Sequence, residues 1–205
     1  MLPIAKILSW VLHPILMPVI AVALAMYVDP PLVYFVPPPA RSIMLAMLAV
    51  MTIAFPLTST LLLIKAGVVR DVHMHIRQER IAPYLLTLIH FGLAYYLFRQ
   101  APVHPALLAV LFGSILATAL TFVITFFWKI SAHMVGAGGV IGMLSGLSFI
   151  HHIPLLDLTA VAIVLAGALG TARLLTSDHT QGQVILGALV GWACVHTTTL
   201  FHWYI

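Results

Sequence analysis

The chain has 205 residues, of which 62% are hydrophobic and 7% charged, with a mean hydropathy of +1.13. Soluble domains carry about a quarter charged residues, so this chain could not cover a water-facing surface and the bilayer is its expected solvent. The net charge of +4 does not point to nucleic acid, because the nine basic residues are few and lie between apolar runs.

A helix that crosses the hydrocarbon core needs about 20 apolar residues. Seven runs approach that length, at 7–28, 42–64, 81–98, 106–128, 131–150, 155–172 and 184–203. They use nearly the whole chain, so the expectation is an all-α, polytopic bundle of about six to seven transmembrane helices, forming a single membrane domain over 1–205. Lys6 precedes an apolar run with no small-residue cleavage site after it, which reads as a first span rather than a signal peptide. Pro14 and Pro18 should kink that span. Residues 29–41, with five prolines, read as a stiff loop. The one cysteine, Cys194, lies in an apolar run and has no second cysteine to pair with.

Seven spans put the N-terminus and segments 65–80, 128–131 and 173–183 on one face, called face A. Segments 29–41, 99–104 and 151–154 then fall on face B with the C-terminus. Face A carries Lys6, Lys65, Arg70, Arg77, Arg80, Lys129 and Arg173, and face B only Arg41 and Arg99. Either the positive-inside rule makes face A cytoplasmic, or its bases form an anion site and say nothing about insertion. Orientation stays open at this point. Gly138, Gly142 and Gly146 recur every four residues, as do Gly187 and Gly191. Such stripes let helix backbones approach closely and offer a route to homo-oligomers.

Three polar clusters reach the lipid boundary on face A: 70–83, 129–133 and 173–183. Ionisable groups are costly to hide there, so a functional reading is the default. Arginine forks match phosphate oxygens, lysine adds a point charge, and helix N-termini attract anions. Histidine acts as nucleophile or proton carrier near neutral pH. That combination suits phosphoryl transfer, where charge stabilisation supplies much of the rate. His73 and His75 alternate as metal ligands can, but few carboxylates and no cysteines accompany them, so no metal or other cofactor is expected. His151 and His152, on face B, read as interfacial.

The spacing of these residues resembles the type 2 phosphatidic acid phosphatase superfamily. Its members carry K-x6-R-P, P-S-G-H and S-R-x5-H-x3-D segments, in that order. Here the third is Ala172-Arg173-x5-His179-x3-Gln183, with Gln183 in place of the terminal Asp. The second is Ile130-Ser131-Ala132-His133, which keeps Ser and His and loses Pro and Gly. The first is Arg70-x6-Arg77, followed by Gln78, with the later pair Arg80 and Pro83 as an alternative register. A helical hairpin, 81–128, separates the first and second segments, and the resemblance covers 70–183.

The resemblance implies a membrane phosphatase for a lipid phosphate or pyrophosphate. His179 would be the nucleophile that takes the phosphoryl group, His133 would protonate the leaving oxygen, and Arg173 and Arg77 would hold phosphate oxygens with Ser131. Arg70 and Arg80 are candidates through the two registers, and Lys129 is added on proximity alone. Gln183 and Asp178 are the candidate supports for His179, Gln183 being the weaker because an amide supplies no charge. Expected partners are the lipid substrate and membrane lipids, in a cell membrane such as a bacterial inner membrane. The alternative is a catalytically degenerate relative that binds or transports a phospholipid. A prenyl transferase of the UbiA type, faintly suggested by 77–83, would need paired Asp-rich motifs that five acidic residues cannot build.

Overall fold

The computed structural model describes residues 2–71, 74, 76–176 and 179–201. Asp178, His73 and His75 lie outside the described residues. The described residues form helices joined by short turns and connections, with no strand among them, and seven helical segments are long and apolar enough to cross a membrane. It is a multi-pass membrane protein.

Span 1 is broken. Helix α1 (Leu2–Val11) ends before His13, a 3-10 turn covers Pro14–Leu16, and α2 (Met17–Val28) completes the crossing. The break follows from His13-Pro14: a residue before proline is pushed to extended backbone, and His13 has φ −67° and ψ 137°. The proline-rich corner is more ordered than a loop. It holds a short helix, α3 (Pro30–Phe35), and the start of α4 (Pro38–Ala49), each opening on proline, because the N–H lost at a first helical position has no partner to lose. Arg41 ties this corner together, donating from Nε to the Val36 carbonyl at 2.8 Å and from its guanidinium to that of Val33 at 2.6 Å.

Span 2 continues through a π turn at Val50–Ala54 into α5 (Phe55–Lys65). Pro56 explains the turn: it has no N–H for the carbonyl four residues back, so the hydrogen-bond ladder slips by one. The Phe55 N–H accordingly bonds the Val50 carbonyl. The remaining spans are α6 (Ile81–Arg99), α7 (Pro105–Thr125), α8 (Ala132–His151), α9 (Leu156–Thr176) and α10 (Gln181–Leu200).

Helices α8 and α10 share the most extensive contact in the bundle. A Cβ added at Gly138 would fall on the Ala188 carbonyl, and one at Gly191 on the Val135 carbonyl. The stripes on Gly138, Gly142, Gly187 and Gly191 are thus filled by each other's helix within one chain. Helix α7 packs on the other side of α10, and α9 packs on α8 and α1.

On face B, Asp29 is fully buried between α2 and α3. His151, at the end of α8, sits with Nδ1 2.9 Å from each of its carboxylate oxygens. Burial raises the Asp29 carboxyl above its usual range, opposed by the His151 imidazole. His151, read from sequence as interfacial, is half-buried at the helix end and partners the buried Asp29 carboxylate.

Candidate active site

The polar segments of face A converge because each lies where a span meets the surface. Their side chains open onto one cavity of about 560 Å³ that reaches down between the spans. Arg80 enters from the turn before α6, His133 from the first turn of α8, Arg173 from the last turn of α9, and His179 from the connection between α9 and α10.

His179 is buried, with 8% of its surface exposed. Burial, followed by the positive charges of Arg173, Arg80 and Lys129, holds its imidazole down at about 4, and a hydrogen bond to the Ile130 backbone opposes this. The ring is therefore neutral near pH 7, the form in which a nitrogen lone pair can attack. Ile130 immediately precedes the segment bearing Ser131 and His133, so the nucleophile candidate is steered by the backbone of the second cluster.

Gln183 has a different task. Its Oε1 accepts the Thr180 backbone N–H at 3.1 Å, and the two residues form a capping box at the start of α10. That pattern, Thr180-x-x-Gln183, is a helix-start signal visible in the sequence. The Gln183 side-chain oxygen is thus occupied in shaping the helix start.

His133 is held from span 1. Its Nε2 lies 3.1 Å from the Ser9 carbonyl, and its ring stands edge-on to His13 at 5.3 Å between centroids. His13 also lines the cavity, and its Nδ1 accepts the Ile15 N–H at 3.4 Å. Sequence reasoning missed His13. The signal was present in His13-Pro14, since a broken helix turns a pre-proline side chain away from its neighbours, but no motif connected it to the distant clusters.

The other predicted residues divide. Arg80 lines the cavity together with Pro83, as does Tyr84, and Arg80 Nε donates to the Met74 carbonyl at 3.0 Å. Arg77 is half-buried but off the cavity wall, and Arg70 is exposed and pairs with Glu79 at 3.2 Å. The geometry therefore brings the Arg80–Pro83 register, and not Arg70–Arg77, to the site. Lys129 acts on His179 through its charge from beyond the wall. Ser131 is fully buried off the cavity; its backbone N–H bonds the Gln183 carbonyl at 3.3 Å, and its Oγ has no hydrogen-bond partner among the described residues.

Below this cationic rim the wall turns apolar. Span 1 contributes Met17 and Ala21, α6 contributes Phe91, α7 Val110 and Ala117, and α8 Val140. The described residues contain no group of three or more His, Cys, Asp or Glu side chains arranged to hold a metal. Compared with protein-family models, curated proteins and solved structures, the chain matches none.

Proposed function

We propose that this protein is a membrane-embedded phosphatase that cleaves a lipid phosphate or pyrophosphate through a phosphohistidine on His179. One observation carries the reading: Arg80, Arg173, His133 and His179, from three distant segments, rim a single cavity whose remaining wall is mostly apolar. A phosphate head with a hydrocarbon tail has that same division of chemistry.

In the first step a ring nitrogen of His179 attacks phosphorus, an N–P bond forms, and the P–O bond to the lipid breaks. Arg80 and Arg173 hold the phosphoryl oxygens, where fixed cations stabilise developing charge. The leaving oxygen takes a proton from His133. At the Ser9 carbonyl only an N–H can bond, so Nε2 keeps its hydrogen there. The proton for transfer sits on Nδ1 of the imidazolium, whose positive charge the bound phosphate offsets. In the second step neutral His133 takes a proton from water, the oxygen attacks phosphorus, and the N–P bond breaks to free inorganic phosphate and His179.

The test is phosphate release from short-chain and long-chain lipid phosphates by purified protein without added divalent metal. Wild type should release phosphate, and His179→Ala should not. Equal rates in the two proteins across the panel would end the enzymatic reading.

A second reading is binding or transport of a phospholipid without turnover. It is favoured by Gln183, whose side-chain oxygen is occupied at the helix start and whose neutral amide supplies no charge to His179. Retained lipid-phosphate binding by a wild-type protein that releases no phosphate would select it.

A further inference from the structure

The cavity has a definite depth as well as a definite chemistry. Along α7 its wall runs from Thr121, near face A, to Val110, eleven residues further into the bundle. At the helical rise this is about 16 Å. Part of the deep wall is buried: Val110, Val195, Ala21 and Ala117 are at most 5% exposed. The upper wall is open on one side. Trp10 of α1 and Leu57 of α5 both line the cavity while 72% and 47% exposed. A seam between spans 1 and 2 thus faces lipid near the cationic rim.

Volume sets what can lie inside. A water molecule has about 30 Å³ of liquid volume, and a methylene group is of similar size. The 560 Å³ of the cavity therefore holds roughly twenty heavy atoms on that measure. A phosphate takes five of them and leaves space for a single chain of roughly fourteen carbons. Two such chains on a glycerol would need about twice the room.

We infer that the natural ligand is a single-chain lipid phosphate, its head on Arg80, Arg173 and His179 and its one chain running down the shaft toward Val110. This rests on the phosphate-binding reading of the rim. Lipid tails are as apolar as the shaft, so burying the chain gains little by itself. Selection comes from fit. A second chain has no space beside the first inside the shaft and would have to lie out through the seam, and a chain much longer than the shaft must fold back or leave the same way.

Binding to full-length His179→Ala protein in detergent, measured by calorimetry, tests the inference apart from turnover. The probes are octyl phosphate, tetradecyl phosphate and dimyristoyl phosphatidate. Tetradecyl phosphate should bind at least about tenfold more tightly than either of the others. Val110→Trp shortens the shaft and should shrink the tetradecyl advantage over octyl several-fold. Its folded state is checked by thermal melting, and if it does not fold, the three-probe comparison on the His179→Ala protein decides. Dimyristoyl phosphatidate binding as tightly as tetradecyl phosphate overturns the inference, as does a folded Val110→Trp protein with an unchanged ratio. Chain selectivity without phosphate release by wild type would remove the phosphatase reading and leave the single-chain ligand standing.

Discussion

His179 and the cations around it set how the site should respond to pH. A nucleophile must be unprotonated, so activity is lost as pH falls through the value of the folded imidazole. That value is about 4 here, against 6.5 for a free imidazole, with burial the larger cause and Arg173, Arg80 and Lys129 adding to it. The acid limb of kcat/KM should therefore fall near pH 4, and Lys129→Met should move it upward toward 6.5. Arg173→Ala should lower kcat/KM by about 10²–10³, the usual cost of losing one preorganised charge-stabilising donor. A residue-scale test of architecture lies on face B. His151→Leu leaves Asp29 buried without its partner and should cost about 3 kcal/mol in unfolding stability. Asp29→Asn combined with His151→Gln should recover part of that, because no carboxylate is then left uncompensated.

At the scale of elements, the helix pair α8 and α10 carries the site. His133 stands on the first turn of one, and His179 just precedes the other. Gly191→Ala would drive a methyl into the Val135 carbonyl, and backbone cannot move aside as a flexible side chain can. The helices must separate, with a loss of about 1–3 kcal/mol and a fall in activity as His133 moves away from His179. Gly167→Ala is the control: nothing lies within 4 Å of the added atom, and alanine should stabilise the helix by about 0.5–1 kcal/mol. Melting in one detergent, with lipid-phosphate turnover alongside, reads both.

The spans were legible because membrane solvent imposes a simple rule, a long apolar run for each crossing, and all seven runs became helices. The proline-rich corner was not legible as helix, since proline count signals a break while its position at a helix start signals the opposite. Within the site, Arg173, His133 and His179 could be selected because spacing tied each to a span end. Their shared cavity was an expectation that only three-dimensional packing could test. His13 and the apolar shaft escaped because their residues look like any other membrane helix, and what unites them is a space between five or more spans. Sequence alone does not choose between the Arg70–Arg77 and Arg80–Pro83 registers of the first cluster, because the fold decides which side chain faces the cavity.

For the whole molecule, seven crossings place the turn around Gly67 and the turn around His152 on opposite sides. The lone cysteine, Cys194, is buried and should stay silent to a membrane-impermeant maleimide. A cysteine placed at Gly67 and another at His152 should then label from opposite sides of sealed vesicles, and labelling from the same side would refute the span count.

The backbone contact between α8 and α10 also decides which parts of the bundle are able to move. Two helices locked carbonyl against glycine behave as a fixed spine, and with α7 against α10 they leave the inner half of the shaft no freedom to widen. Entry and exit of a bulky guest must then be served by the opposite wall, where a proline-broken first span faces a second span relaxed by its π turn. Both irregular helices border the lipid-facing seam, so the molecule keeps its chemistry on the rigid side and its door on the pliant one.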